Sequence, residues 1–213
     1  MSDRRYFKRL HGPDGEGGEI SLVSVIDIYP DMILTAVRDG DGKLRLIAWK
    51  VDSNGGITRS SGPDGEGGEI SLVSLVYSST KKLMVTAVRD GDGKLRLIAW
   101  KVDSNGGITR SSGPDGEGGE ITLLSILPLF HGSYTITAVR DGDGKLRLNL
   151  WHLDSRTGSI KQYSDPDACT EQINLISLVH FFSESLVVTA VRDGDGKLRL
   201  IAWRTIDLSG PRS

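Results

Sequence analysis

The sequence predicts an all-β chain assembled from four repeated units, and three observations carry that expectation. The first is repetition: residues 35–70 read TAVRDGDGKLRLIAWKVDSNGGITRSSGPDGEGGEI, and residues 86–121 repeat them letter for letter. Thr137 opens a third copy and Thr189 a fourth that departs after Trp203, at Thr-to-Thr spacings of 51, 51 and 52 residues. The second is the texture of each unit. Short runs rich in Val, Ile, Thr and Trp alternate with clusters of Gly, Asp, Asn and Ser, which is the pattern of strands and turns. The third is that the N-terminus already carries the piece that the fourth copy lacks.

Each unit divides into four segments, taken here from the second copy. Residues 69–76 (EISLVSLV) alternate in part and form an inner strand, A. Residues 83–89 (LMVTAVR) are β-branched and form B, residues 94–102 (KLRLIAWKV) alternate and form C, and residues 107–111 (GITRS) form a short outer strand, D. Between B and C stands Asp90-Gly91-Asp92-Gly93, and between C and D stands Asp103-Ser104-Asn105-Gly106-Gly107. Both supply residues that tolerate positive φ in hairpin turns. A four-stranded antiparallel unit of about 50 residues is a β-propeller blade.

The two ends predict closure. Residues 7–12 (FKRLHG) align with residues 57–62 (ITRSSG), and residues 12–24 match residues 62–74 without a change. The fourth copy has no such outer strand of its own, so pairing the N-terminal strand with the C-terminal blade would close a ring and remove two open sheet edges. The expectation is a single β-propeller domain over residues 1–213: four blades of about 51 residues, more often a monomer than an oligomer. Near-identical blades scarcely distinguish a neighbour in the same chain from one in another, so a larger ring shared by two chains stays open as an alternative. In repeat length, copy number and ring closure the chain resembles the four-bladed propeller of hemopexin-like domains and the multivalent β-propeller lectins. That resemblance implies fold and multivalent binding, and it carries over no site residue.

Composition narrows the function. With 38% hydrophobic residues the chain can build a core, while a formal net charge of −2 gives no electrostatic case for nucleic acid or anionic membrane. No apolar run is long enough for a membrane span, and the positive start MSDRRYFKRLHG has no apolar stretch behind it, so a soluble chain without a visible signal peptide is expected. Cys169 is the single cysteine, which excludes an intrachain disulfide framework and reads as a neutral loop thiol.

The repeated topology also separates two faces. B–C turns and D–A loops emerge on one face, where the acidic GPDGEGGE of residues 12–19, 62–69 and 113–120 recurs and residues 165–172 (DPDACTEQ) depart from it. The A–B loops on the other face vary from copy to copy and carry Tyr29, Tyr77, Phe130, Phe181 and Phe182, a surface suited to a protein partner. Strand A lines the channel, with Ser71 and Ser74 toward it.

The candidate ligand-binding residues recur with the blades. Trp49, Trp100, Trp151 and Trp203 offer flat apolar faces; Asp39, Asp90, Asp141 and Asp193 with Arg45, Arg96, Arg147 and Arg199 offer directional hydrogen bonds to hydroxyl groups. Tryptophan serves as well as a filler between blades, and repeated Arg–Asp pairs serve as well to tie blades together. The Asp-Gly-Asp-Gly turns pair Asp39 with Asp41, Asp90 with Asp92, Asp141 with Asp143 and Asp193 with Asp195. Alternating carboxylates of this kind begin a calcium loop, yet Lys43 and Leu44 follow where further ligands would stand. Turn formation alone explains the same residues. No cofactor other than such a calcium ion is expected. The histidines His11, His131, His152 and His180 do not converge in sequence on a zinc pattern. No nucleophile–base pair is visible, so the chain is not expected to be an enzyme. The leading expectation is multivalent carbohydrate binding. A protein-interaction scaffold, or a designed or recently amplified repeat without a selected ligand, stands as the alternative.

Overall fold

The computed structural model describes residues 14–28, 30–78, 83–129, 133–163, 167–181 and 186–204. All regular structure among them is β. Blade 1 holds β1 (Ile20–Ile28), β2 (Met32–Asp39), β3 (Lys43–Val51) and β4 (Ile57–Arg59). Blade 2 holds β5 (Gly65–Ser78), β6 (Leu83–Asp90), β7 (Lys94–Val102) and β8 (Ile108–Arg110). Blade 3 holds β9 (Gly116–Leu129), β10 (Tyr134–Asp141), β11 (Lys145–Leu153) and β12 (Ile160–Gln162). Blade 4 holds β13 (Asp167–Phe181), β14 (Leu186–Asp193) and β15 (Leu198–Arg204). Strand order within each blade follows the A–B–C–D expectation, and every pairing is antiparallel.

One expected loop is a strand. Residues 65–69 of the acidic GPDGEGGE stretch were expected to join D to A, but they form the first third of β5 and pair with β3 of the preceding blade, Arg45 opposite Glu66 and Leu46 opposite Gly65. The rest of β5 pairs with β6. A single long strand is therefore the outer strand of one blade and the inner strand of the next, and β9 and β13 repeat the device. Glycine permits it. A Cβ on Gly65 would lie 2.7 Å from Cγ2 of Ile108 and 3.2 Å from the Trp100 ring, so the backbone must run bare across that tryptophan. The departing stretch in the fourth copy still forms strand, and residue 169 falls inside β13 rather than in a loop.

Three apolar layers hold the blades together. The first joins Leu34, Leu44 and Leu46 of blade 1 to Ile70, Met84 and Trp100 of blade 2. The second joins Leu95 and Leu97 to Ile121, Ile126 and Trp151, and the third joins Ile136 and Leu146 to Ile173 and Val187. Full burial of one such leucine contributes roughly 1.5–3 kcal/mol. Arginines cross-tie the same junctions: Arg38 donates from Nε to the carbonyl of Ile70 at 2.7 Å, and Arg89 donates likewise to Ile121 at 2.6 Å.

The described residues do not include the expected ring-closing strand. The sheet path starts at β1 and stops at β15, with no pairing between the two. Residues 7–12, expected to close the ring, lie outside the described residues. The inner serines, Ser71 exposed and Ser74 half-buried, belong to strands that hydrogen-bond through such side chains. Ser71 accepts a hydrogen bond from Arg89 at 2.8 Å, and Ser24, the blade 1 counterpart of Ser74, accepts the Leu75 N–H at 3.1 Å.

Candidate ligand clefts

The Asp-Gly-Asp-Gly turn is built by its first aspartate. Asp39 Oδ1 accepts the backbone N–H of Asp41 at 3.1 Å and of Lys43 at 2.9 Å, while Gly42 takes φ +81° to let the chain return. The Lys43 N–H, helped by Arg45, holds the Asp39 carboxyl below its ordinary value against the opposing effect of burial. Asp193 is lowered in the same way, first by the Lys197 N–H and then by Arg199.

Around this turn the structure assembles an alternating acid–base cluster. Arg45 Nε stands 3.4 Å from Asp39 Oδ2, and its Nη1 stands 3.6 Å from Asp64 and 3.8 Å from Glu66. Arg59 pairs with Asp64 as well. Blade 2 repeats the arrangement, with Arg96 3.3 Å from Asp90, 3.7 Å from Asp115 and 3.8 Å from Glu117, and Arg110 paired with Asp115. Arg147 meets Asp141 at 2.5 Å and Arg199 meets Asp193 at 2.8 Å. The Asp and Arg positions predicted from the sequence are thus brought together in all four blades. Asp64 and Glu66, with their counterparts Asp115 and Glu117, belong to the cluster as well, and the fixed spacing from Arg59 to Asp64 is the sequence signal for them.

The clusters of blades 1, 2 and 3 each form one side of an open, shallow cleft between the turn and the inner strand. The clefts of blades 1, 2 and 3 measure about 320, 330 and 460 Å³. The first has Glu19, Asp39, Arg45 and Arg59 as polar lining and Ile20, Val37 and Ile47 as apolar lining. The third differs: Gln162 stands in place of Arg59, and Asn149, in place of Ile47, donates to Thr137 Oγ1 at 3.3 Å.

The tryptophans do not join the clefts. Trp49, Trp100 and Trp151 are buried, and Trp203 is half-buried. Each spends its indole N–H on a threonine of strand B, as Trp100 does on Thr86 at 2.9 Å. Their aromatic faces pack the blades, which corrects the expectation that they lie against a sugar ring.

The calcium expectation meets a similar correction. Asp39 has both oxygens engaged, one by two N–H groups and one by a guanidinium, and Asp90, Asp141 and Asp193 carry the same arginine contact. Asp41, Asp92, Asp143 and Asp195 are exposed at the turn tips. Among the described residues no group of three or more His, Cys, Asp or Glu is arranged to hold a metal ion. Burial holds the His180 imidazole below its ordinary pKa, and His152 lies edge-on to Tyr134 at 5.2 Å. Of the aromatic residues expected to form a partner surface, Tyr29, Phe130 and Phe182 lie outside the described residues, and Tyr77 packs against the core between blades 1 and 2. No helix long and apolar enough to cross a membrane occurs among the described residues.

No family model and no curated protein matches this sequence. Solved structures do match the fold, which is that of a β-propeller-like protein. Sqt1 of Saccharomyces cerevisiae superposes with a TM-score of 0.61 at 15% identity, over 92% of this chain and 48% of that one. A proposed 6-phosphogluconolactonase of Bacteroides fragilis superposes at 0.54 with 16% identity, over 93% and 59% of the two chains. Another, from Bacteroides uniformis, does so at 0.55 with 11% identity, over 87% and 57%. The chain spans about half the length of these structures. They overturn the expectation of a non-enzyme drawn from the repeat, because the same architecture carries proteins described as 6-phosphogluconolactonases.

Proposed function

We propose that this chain binds carbohydrate through the repeated Asp–Arg clefts, several weak sites acting together on one face. The observation that carries the reading is the recurrence of one acid–guanidinium cluster beside an open cleft in consecutive blades. Sugar hydroxyls both donate and accept, so a surface with carboxylate oxygens beside guanidinium N–H groups suits them. The side chain of Arg45 is 38% exposed, leaving part of it open to a ligand while it also binds Asp39. Ile20, Val37 and Ile47 supply a small apolar floor for the C–H face of a ring. Glu19 and its counterparts at the rim disfavour phosphorylated ligands by charge. Each shallow cleft binds weakly alone, and a target that repeats converts several such contacts into avidity.

A glycan array read with and without competing free sugar tests this directly. Selective, competable binding that disappears when Arg45, Arg96, Arg147 and Arg199 are changed together to Ala, in a protein still folded by circular dichroism, supports the reading. Absence of competable binding, or binding indifferent to those four changes, overturns it.

A further inference from the structure

We propose that two copies of this chain associate head to tail, blade 4 of each against blade 1 of the other, to form one eight-bladed ring. The observation is that the arc ends in two apolar faces that are the two halves of an interface the chain already makes inside itself. On blade 4, Leu198 is 73% exposed and Leu200 67%, whereas their counterparts Leu95 and Leu97 are 2% and 0% exposed between blades 2 and 3. Leu175 and Val179 are exposed beside them, where Leu72 and Val76 join the same buried layer. These residues border an apolar groove of about 430 Å³ lined by Val179, Val188, Ala190, Leu200 and Ala202.

The other half stands on blade 1. Ile20, Val23 and Val25 are 50%, 59% and 58% exposed, and their counterparts Ile121, Leu124 and Ile126 cover Leu95 and Leu97 in the blade 2–3 layer. Repetition thus makes the two end faces complementary in shape without any new sequence.

Backbone and charge agree with the same docking. β5, β9 and β13 each begin by pairing with the C strand of the blade before them, but β1 begins only at Ile20. Residues 14–19 nevertheless run as their counterparts do: a Cβ on Gly15 would meet Ile57 at 2.7 Å and Trp49 at 3.1 Å, as one on Gly65 would meet Ile108 and Trp100. Among the described residues no strand of a preceding blade pairs with them. Superposing the junction puts β15 of a second copy there. Lys197 then faces Glu19 and Arg199 faces Glu16, as Lys43 faces Glu69 and Arg45 faces Glu66. Arg192 meets the Ile20 carbonyl as Arg38 meets Ile70.

The docking also completes a cleft. Those of blades 2 and 3 take a wall from the preceding blade, Leu44 and Leu95 respectively, and that of blade 1 has none. Leu198 of the second copy supplies it. A heterologous contact closes into a ring only if its rotation closes. The arc superposes over 92% of its length on 48% of a larger propeller-like chain, and over 93% and 87% on 59% and 57% of two others, so its curvature suits a ring larger than the chain itself supplies.

Sedimentation of the native chain tests the proposal, together with Val25→Asp and Leu198→Asp, whose exposed positions leave each chain folded by circular dichroism. The native protein is expected at twice the chain mass of 23.1 kDa and each variant at the single mass. An equimolar mixture of the two variants is expected to regain the double mass, because one of its two junctions joins two unaltered faces. A monomeric native chain, a dimer that survives both substitutions, open-ended polymers, or a mixture that stays monomeric would each overturn it.

Discussion

Trp100 donates its indole N–H to Thr86 Oγ1 at 2.9 Å, and both residues are buried where blade 1 meets blade 2. The threonine precedes the tryptophan by fourteen residues, and the same pair recurs as Thr35–Trp49, Thr137–Trp151 and Thr189–Trp203. A β-branched residue suits the strand, and its hydroxyl satisfies the one polar atom of the large ring. Thr86→Val keeps the shape and strands the donor, at an expected cost of about 1–3 kcal/mol. Thr189→Val is expected to cost less, because the half-buried Trp203 can turn to water. Urea unfolding of the two variants decides it, and equal losses would count against this account.

The glycines of one stretch are expected to behave differently. Gly65→Ala puts a methyl group 2.7 Å from Ile108 and 3.2 Å from Trp100, while a Cβ on Gly68 meets nothing within 4 Å. The first substitution should lose about 1–3 kcal/mol through overpacking, and the second should stay within about 0.5 kcal/mol of the parent. Thermal and urea unfolding would show whether the order reverses.

Arg89 binds two partners, the Ile121 carbonyl across the junction to blade 3 at 2.6 Å and Ser71 Oγ of its own blade at 2.8 Å. Arg89→Ala is expected to destabilise by about 1.5–3 kcal/mol, the range for hydrogen bonds to charged groups. Arg192, exposed on the open face of blade 4, should cost the dilute chain less on the same change. Unfolding measured at low protein concentration compares them; a larger loss at Arg192 would contradict the cross-tie.

Asp141 supplies a pH dependence. Burial pushes its carboxyl up, but the Arg147 guanidinium and the Lys145 N–H outweigh burial and hold it below its ordinary value. A depressed folded value adds stability that is complete above the unfolded carboxyl's pKa, about 3.9. That contribution is lost as pH falls through the folded value. The advantage of the native chain over Asp141→Asn, measured by urea unfolding across pH, should be present at neutral pH and shrink in acid below about pH 4. An advantage that grows in acid would reverse the sign.

Repetition made the strands legible. The C-strand segment, residues 94–102, is bounded by its own alternation and by turns of Asp and Gly on both sides, and its neighbour of residues 83–89 is legible from its β-branched content. The GEGGE stretch was not legible as strand. Glycine-rich residues carry no strand propensity, and this segment is extended because the β3 backbone on one side and the Trp100 ring on the other require it. The Asp39–Arg45 cluster could be guessed from recurrence, whereas the absence of Trp100 from the cleft depends on the Gly65 backbone that covers its ring, since Arg96 and Ile98 of the cleft alternate onto the same face of β7.

The amino-acid sequence by itself determined the repeat, the strand order within a blade and the acidic turns. These follow from local alternation and from the few residues that can turn a chain. Tertiary structure alone decided what each repeated residue experiences. LRLIAW reads identically in β7 and β15, yet Leu97 is buried and Leu200 is exposed, because a third blade covers the one and no blade among the described residues covers the other. Identical side chains carry identical propensities, and burial depends on the neighbour that the fold brings.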